Sequence, residues 1–281
     1  MLAAENNIPV ILVNSVGQPV VKIAPVMSTG HTDLRKKQYQ LSRGTKAVEL
    51  IINMLVLKTE GQISNLAWWA NRKTAVADIC NSSKQQLKAS IKTLLLKSVT
   101  PGGQEQFLQA LRGWEGNNAR YYWQAMAQLA QLEGWNMQGR SYHPALDEIN
   151  SVINYMYGLL YHMVETALAS NGLDSQIGLW HRDEYQTPSL SFDVIEPLRP
   201  KADQLVSEMI MQKQLQKDWF ETDEKYGYIL SRQGKAVIIQ SFNARLEEKI
   251  KMQNEVTAFK NHILNQAYKL RQEIEKMAAD E

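Results

Sequence analysis

A single cysteine, Cys80, leaves this chain unable to form an internal disulfide, and that scarcity fits a reducing compartment. No redox role follows from it. Long apolar runs are also missing. The longest, around Val48 to Leu57, is interrupted by Glu49 and Asn53, which excludes a bilayer-spanning segment. The amino terminus carries Glu5 and no cationic stretch ahead of Ile8 to Val13, unlike a secretory signal. There is no internal repeat, no low-complexity tract, and no serine, tyrosine or lysine arrangement that argues for a covalent enzyme intermediate. The expectation is a cytoplasmic protein without membrane association. Its 281 residues, 44% of them hydrophobic, suffice for one large domain or two small ones.

The chain also has little net charge, +2, which by itself does not announce a nucleic-acid binder. The distribution is more informative. Residues 31–99 hold 12 Lys and Arg against 4 Asp and Glu, whereas residues 112–201 hold 6 against 10. A basic half that can line a phosphate backbone, beside an acidic half that can concentrate a cation, suits a metal-dependent enzyme acting on DNA. Lysines scattered over solvated helix faces give the same count.

Residues 8–24 read as a hairpin, because IPVILV and PVVKIA are β-prone runs about a turn with Gly17 and Pro19. From Thr32 the pattern is helical. Apolar residues recur at helical spacing through Val48, Ile51, Ile52 and Leu55, through Ala75 to Leu96, and through Ala119, Tyr122, Met126 and Leu129. Pro101, Gly102 and Gly103 punctuate the end of the basic half. A further helix over about Leu146 to Ser170 closes at Asn171 and Gly172. On it Asn150, Asn154, Tyr157 and Tyr161 form a polar stripe, read either as lining a site or as a network that holds helices in register. Beyond Gln212 a second hairpin is predicted within Tyr226 to Ile239, turning at Gln233 and Gly234. A long amphipathic tail then runs through Phe242, Leu246, Ile250, Val256, Phe259, Ile263, Leu270, Ile274 and Met277. The fold class predicted is mainly α with a small amino-terminal β portion: residues 1–30 as the β part, 31–281 as a helical domain.

Four side chains stand out chemically. Glu115 lies in GWEGNNARYYW, His181 follows it by 66 residues, and Asp193 and Glu196 sit in FDVIEP. Isolated acids and one imidazole among apolar residues have the make-up of a Mg²⁺ or Mn²⁺ site that leaves positions for water and a phosphate. The plainer reading makes Glu115 an acid at a helix start and Asp193 with Glu196 first-turn acids favoured by the helix dipole.

The wording around these residues separates the two. GWEGNNARYYW from Gly113, RSYHPALDEINSVINYMYGLLYH from Arg140, GLDSQIGLWH from Gly172 and PSLSFDVIEPLRP from Pro188 occur in one order. In that order and spacing the chain resembles the CRISPR-associated spacer-acquisition integrases, the Cas-one family. The resemblance implies a helical catalytic domain of that type and a metal-dependent integrase and endonuclease. Such an enzyme inserts short foreign duplexes into the CRISPR array by 3′-hydroxyl transesterification.

It also implies Glu115, His181 and Glu196 as catalytic metal ligands, with Asp193 as a supporting acid. Asn150, Tyr157, Arg120, Arg140 and Arg199 become supporting or DNA-contact candidates. The implied partners are double-stranded DNA (protospacer and repeat), a second copy of the chain, and the small Cas-two protein. The hairpin resembles only the final part of that family's amino-terminal β domain, so a short natural form, a fragment and a piece of a fusion all stay open. So do a mobile-element or reverse-transcriptase-fused integrase and a non-catalytic helical assembly subunit.

Overall fold

The three-and-four spacing of apolar residues is realised as helix through most of the chain. The structure, a computed structural model, describes residues 10–13, 19–23, 30–95, 104–181 and 188–276. The predicted turn at Gly17, the breakpoint Pro101 to Gly103 and Met277 lie outside these residues. The helices are α1 (Gly30–Arg43), α2 (Thr45–Arg72), α3 (Ala77–Leu95), α4 (Gln104–Leu132), α5 (Glu148–Ser170), α6 (Ser189–Val194), α7 (Arg199–Met211), α8 (Arg232–Glu247) and α9 (Phe259–Lys276). No described helix is long and apolar enough to cross a membrane.

Strands among the described residues form three two-stranded antiparallel ribbons: β1 (Val10–Val13) with β2 (Pro19–Ile23), β3 (Phe220–Asp223) with β4 (Gly227–Leu230), and β5 (Lys249–Met252) with β6 (Glu255–Ala258). The mainly α fold and the amino-terminal hairpin therefore match expectation. The later β structure does not. The second hairpin turns at residues 224–226, and Arg232 onward is helix, because Ser231 caps α8 by accepting the Gly234 amide at 3.2 Å on its hydroxyl. The amphipathic tail is not one helix either. At Glu248 the chain leaves α8, pairs Ile250 with Thr257, and resumes as α9. Val256, expected on the apolar side, is 63% exposed.

Contacts gather the chain into two units. One comprises residues 1–52, 158–196 and 243–281, the other residues 53–157 and 197–242. In the first, α1 packs on α9, where Phe259, Ile263, Ala267, Leu270 and Ile274 are buried at helical spacing. The buried His262 ring nitrogen Nε2 reaches the Ile250 carbonyl at 2.9 Å and ties β5 to α9. Gln38 on α1, fully buried, donates to the carbonyls of Asp174 (2.7 Å) and Ile177 (3.2 Å) and accepts the Asp174 amide (3.0 Å). That one amide fixes the loop between α5 and α6.

In the second unit α2 presents Gly61, Asn65 and Trp69 to α7. A Cβ on Gly61 would lie 2.8 Å from the Pro200 ring, so only glycine permits this approach. Asn65 donates to the Pro200 carbonyl at 2.7 Å and to the Tyr122 hydroxyl at 2.9 Å, and Trp69 Nε1 donates to Ser207 at 2.9 Å. Trp69 stacks on Tyr122 with ring centroids 5.3 Å apart.

Asp203 on α7 is the buried acid of this unit. It accepts the hydroxyls of Tyr157 (2.6 Å) and Tyr122 (3.1 Å). Burial pushes its carboxyl up to about 6 from 3.8, against the opposing pull of the two tyrosines and of Arg140 and Arg199. A raised folded-state value means that the folded chain binds the proton more readily. Its contribution to stability is complete below pH 3.8 and is lost as pH rises through about 6. The unfolding free energy should therefore fall by up to about 3 kcal/mol across that window. Asp203→Asn should lack this component of the slope. Urea titrations at half-unit pH steps check it; parallel pH profiles for the two proteins would contradict it.

Candidate active site

Loop residues 178–181 and α6 come together around one carboxylate in the first unit. Pro188 cannot donate a backbone hydrogen bond and precedes Ser189, so the chain turns into a six-residue helix there. Asp193, near its end and 2% exposed, accepts the amides of Leu179 (2.6 Å), Trp180 (3.1 Å) and His181 (3.1 Å). It also meets His181 Nδ1 at 2.7 Å. With the carboxylate as acceptor, Nδ1 carries the proton, and Nε2 of the neutral ring keeps its lone pair for a ligand. The His181 side chain is 45% exposed while Asp193 is 1%, so the acid is the fixed part and the imidazole the accessible one.

Gly178 makes this closure possible. A side chain there would run into the His181 carbonyl and come within 2.6 Å of Ser189 Cβ. Ser175 adds a clasp, its carbonyl accepting the Leu190 amide at 2.9 Å. Phe192 and Trp180 flank the His181 ring at centroid distances of 6.0 and 5.1 Å, and Tyr161 lies against Phe192 at 5.0 Å. Glu196 follows in the turn Glu196–Leu198 and is 2% exposed.

Glu115 lies in the second unit, inside α4 rather than at a helix start. Its Oε1 is 2.5 Å from Lys58 Nζ, and that lysine's side chain is only 10% exposed. Arg140 is largely buried. It donates to Asn150 (3.0 Å) and Asn154 (2.7 Å) and lies over the rings of Tyr142, Tyr157 and Trp123 at 4.3–5.5 Å. Burial lowers its guanidinium from the usual value, partly countered by Tyr157, Tyr142 and Asp203. Arg199 lies over Tyr157 at 4.9 Å.

The Asn150 and Tyr157 stripe thus works as a network. Asn150 donates to the Gly139 carbonyl (2.7 Å) and to Asp147 (2.6 Å) and accepts the Ser141 amide (2.9 Å), while Tyr157 serves Asp203. Arg120 is exposed, bonded to Asn117 at 3.1 Å and lying over Tyr121. Sequence reasoning passed over Lys58, Asp203 and Gly178. Lys58 left one legible sign, a lone cation closing the run MLVL.

Within neither unit do three His, Cys, Asp or Glu side chains among the described residues gather into a metal-holding group. The donors nevertheless suit a divalent ion in kind. His181 offers an imidazole oriented by Asp193, and Glu115 offers a carboxylate that already holds a cation.

A family model described as CRISPR associated protein Cas1 matches residues 1–244. A protein of Rhodospirillum rubrum, named a CRISPR-associated endonuclease Cas1, is 29% identical over 253 residues, 87% of this chain and 71% of that protein. The chain spans 45% and 61% of the length of two further relatives of that kind. Among solved structures, a casposase bound to integration product superposes with TM-score 0.79 at 20% identity, covering 97% of this chain and 76% of the other. A Cas6-RT-Cas1–Cas2 complex does so with TM-score 0.75 at 18% identity, covering 98% and 29%.

The loop closure leads to a stability prediction. Gly178→Ala should push the loop off α6 and lower the thermal midpoint by roughly 3–10 °C, given a clash worth a few kcal/mol. Asp193→Ala should cost roughly 2–5 kcal/mol by leaving several amides without their acceptor. Calorimetry and urea unfolding of the two variants measure this; wild-type stability in both would contradict the closure described.

Proposed function

The chain belongs to the Cas1 family of CRISPR-associated proteins, and from that premise we propose that it is a divalent-metal-dependent DNA integrase and endonuclease of spacer acquisition. The observation that carries this reading is the buried Asp193 gripping His181 by Nδ1, which presents Nε2 to a ligand from within the GLDSQIGLWH and FDVIEP segments. Glu115, His181 and Glu196 are the proposed ligands of Mg²⁺ or Mn²⁺, on the strength of their places in the family motifs. Asp193 is a positioning residue. A divalent ion held there would polarise a phosphodiester and neutralise charge developing on its oxygens.

The chain's own residues supply the rest. Lys and Arg of the basic half, residues 31–99, take DNA phosphates without regard to sequence. The 3′-hydroxyl of a short duplex attacks a phosphorus of the target strand, one O–P bond forms, and the target's 3′-oxygen departs. Each joining makes one phosphodiester and breaks one, so it needs no nucleotide cofactor and no covalent enzyme intermediate.

The proposed assembly is a homodimer with Cas2 on double-stranded DNA in the cytoplasm. A catalytic helical part would follow the β portion at residue 31. The Cas6-RT-Cas1–Cas2 complex among the fold relatives supports the Cas2 partner. Fold likeness to a casposase favours, as second reading, an integrase of a mobile element. Dependence of joining on a CRISPR repeat in the target separates the two.

Ala variants of Glu115, His181 and Glu196 should each lower strand transfer at least about a hundredfold, the upper end of what loss of a metal site's support costs. Duplex affinity should stay within a few-fold, because phosphate contacts carry it. Joining of a 3′-hydroxyl duplex to a repeat-bearing plasmid with Mg²⁺, Mn²⁺ or EDTA, alongside filter binding, measures both. Full joining by His181→Ala, or joining in EDTA, would refute the assignment.

A further inference from the structure

Lys58 is placed by the helix register of the second unit. Lys58 meets Glu115 and Asn65 meets Tyr122, so α2 and α4 each advance seven residues, two helical turns, between one polar contact and the next. Three residues on from Lys58, Gly61 is pressed against Pro200, and Trp69 is bonded to Ser207, which fixes the helix about and along its axis. The ammonium is therefore delivered to Glu115 by the packing of the unit rather than by a swinging surface chain. Its side chain is 10% exposed and Nζ lies 2.5 Å from Oε1.

An ammonium with so little water around it needs a carboxylate partner, because removing that partner would leave its charge uncompensated. A divalent ion seeking the same carboxylate would be a like charge a few ångströms from Nζ, a repulsion that the sparse water there screens poorly. The two cations therefore compete for Glu115.

We propose that Lys58 is the resident counter-ion of Glu115 in the metal-free protein, and that a divalent ion gains Glu115 by displacing it. Lys58 is then a positioning residue: it keeps the Glu115 side chain in place before loading and sets how tightly the ion is held. The inference rests on Glu115 being a metal ligand, as proposed above.

Mn²⁺ titrations of the chain, with free Mn²⁺ followed by electron paramagnetic resonance, test both statements separately. Lys58→Met and Lys58→Gln should bind Mn²⁺ at least about tenfold more tightly than wild type, since a neighbouring unit charge is removed. Lys58→Arg, which keeps the charge, should stay near wild type, and Glu115→Gln should lose the site. The Gln and Arg variants keep a polar side chain in the buried position, and circular dichroism confirms folding of each. If Glu115→Gln loses Mn²⁺ while neither neutral Lys58 variant gains affinity, the counter-ion role is wrong. A gain in Lys58→Arg equal to that in Lys58→Met refutes it as well. If Glu115→Gln binds Mn²⁺ like wild type, the metal assignment itself fails.

Discussion

A carboxylate taken out of water has to be met by donors, and each unit of this chain is organised around one. Asp193 is met by three consecutive backbone amides and an imidazole, Asp203 by two tyrosine hydroxyls with two guanidinium groups nearby. The two solutions differ in consequence. Backbone amides cannot move without moving the loop, so Asp193 defines a loop conformation and through it one ring orientation. Phenols and arginines are borne by helices, so Asp203 defines how α4, α5 and α7 meet. An apolar residue in either place would pack but would specify neither.

What the sequence makes legible follows from what its periodicity encodes. Apolar spacing is a property of a single helix, which is why α5 was found almost to the residue, including the close at Gly172, whose φ of +74 suits glycine. The same spacing says little about interruption. The tail from Phe242 to Ile274 keeps a helical rhythm across a hairpin, because Ile250 on β5 faces inward just where a helix would have placed it. Near Gly234 the dipeptide Gln-Gly suggested a turn, yet the glycine is wanted there for a different reason: Trp219 Cβ would lie 3.0 Å from any side chain at that position. Steric demands from a distant residue leave no local mark.

The surroundings of the candidate residues are legible in part, for the same reason. Asp193, Glu196 and His181 share short motifs, and their neighbourhood within one unit can be anticipated from the segments that hold them. Lys58, by contrast, is linked to Glu115 across 57 residues, and nothing near either position points to the other. Asn150 and Tyr157 illustrate an ambiguity that only side-chain partners remove. A polar stripe on an apolar helix is the same string of letters whether it faces a substrate or a loop. Here it holds the segment 139–142 and Asp203.

The equal seven-residue advance along α2 and α4 also limits how the chain can vary in length. One residue inserted between Lys58 and Asn65 would turn the following part of α2 by about 100°, carrying Asn65 and Trp69 off the face that meets Tyr122 and Ser207. The same insertion between Glu115 and Tyr122 would break the match from the other side. Outward-facing side chains along these stretches can be exchanged one at a time, but residues can be neither added nor removed in one helix alone. Changes of length are thus tolerated only where no such ruler operates, such as the turns of the small ribbons.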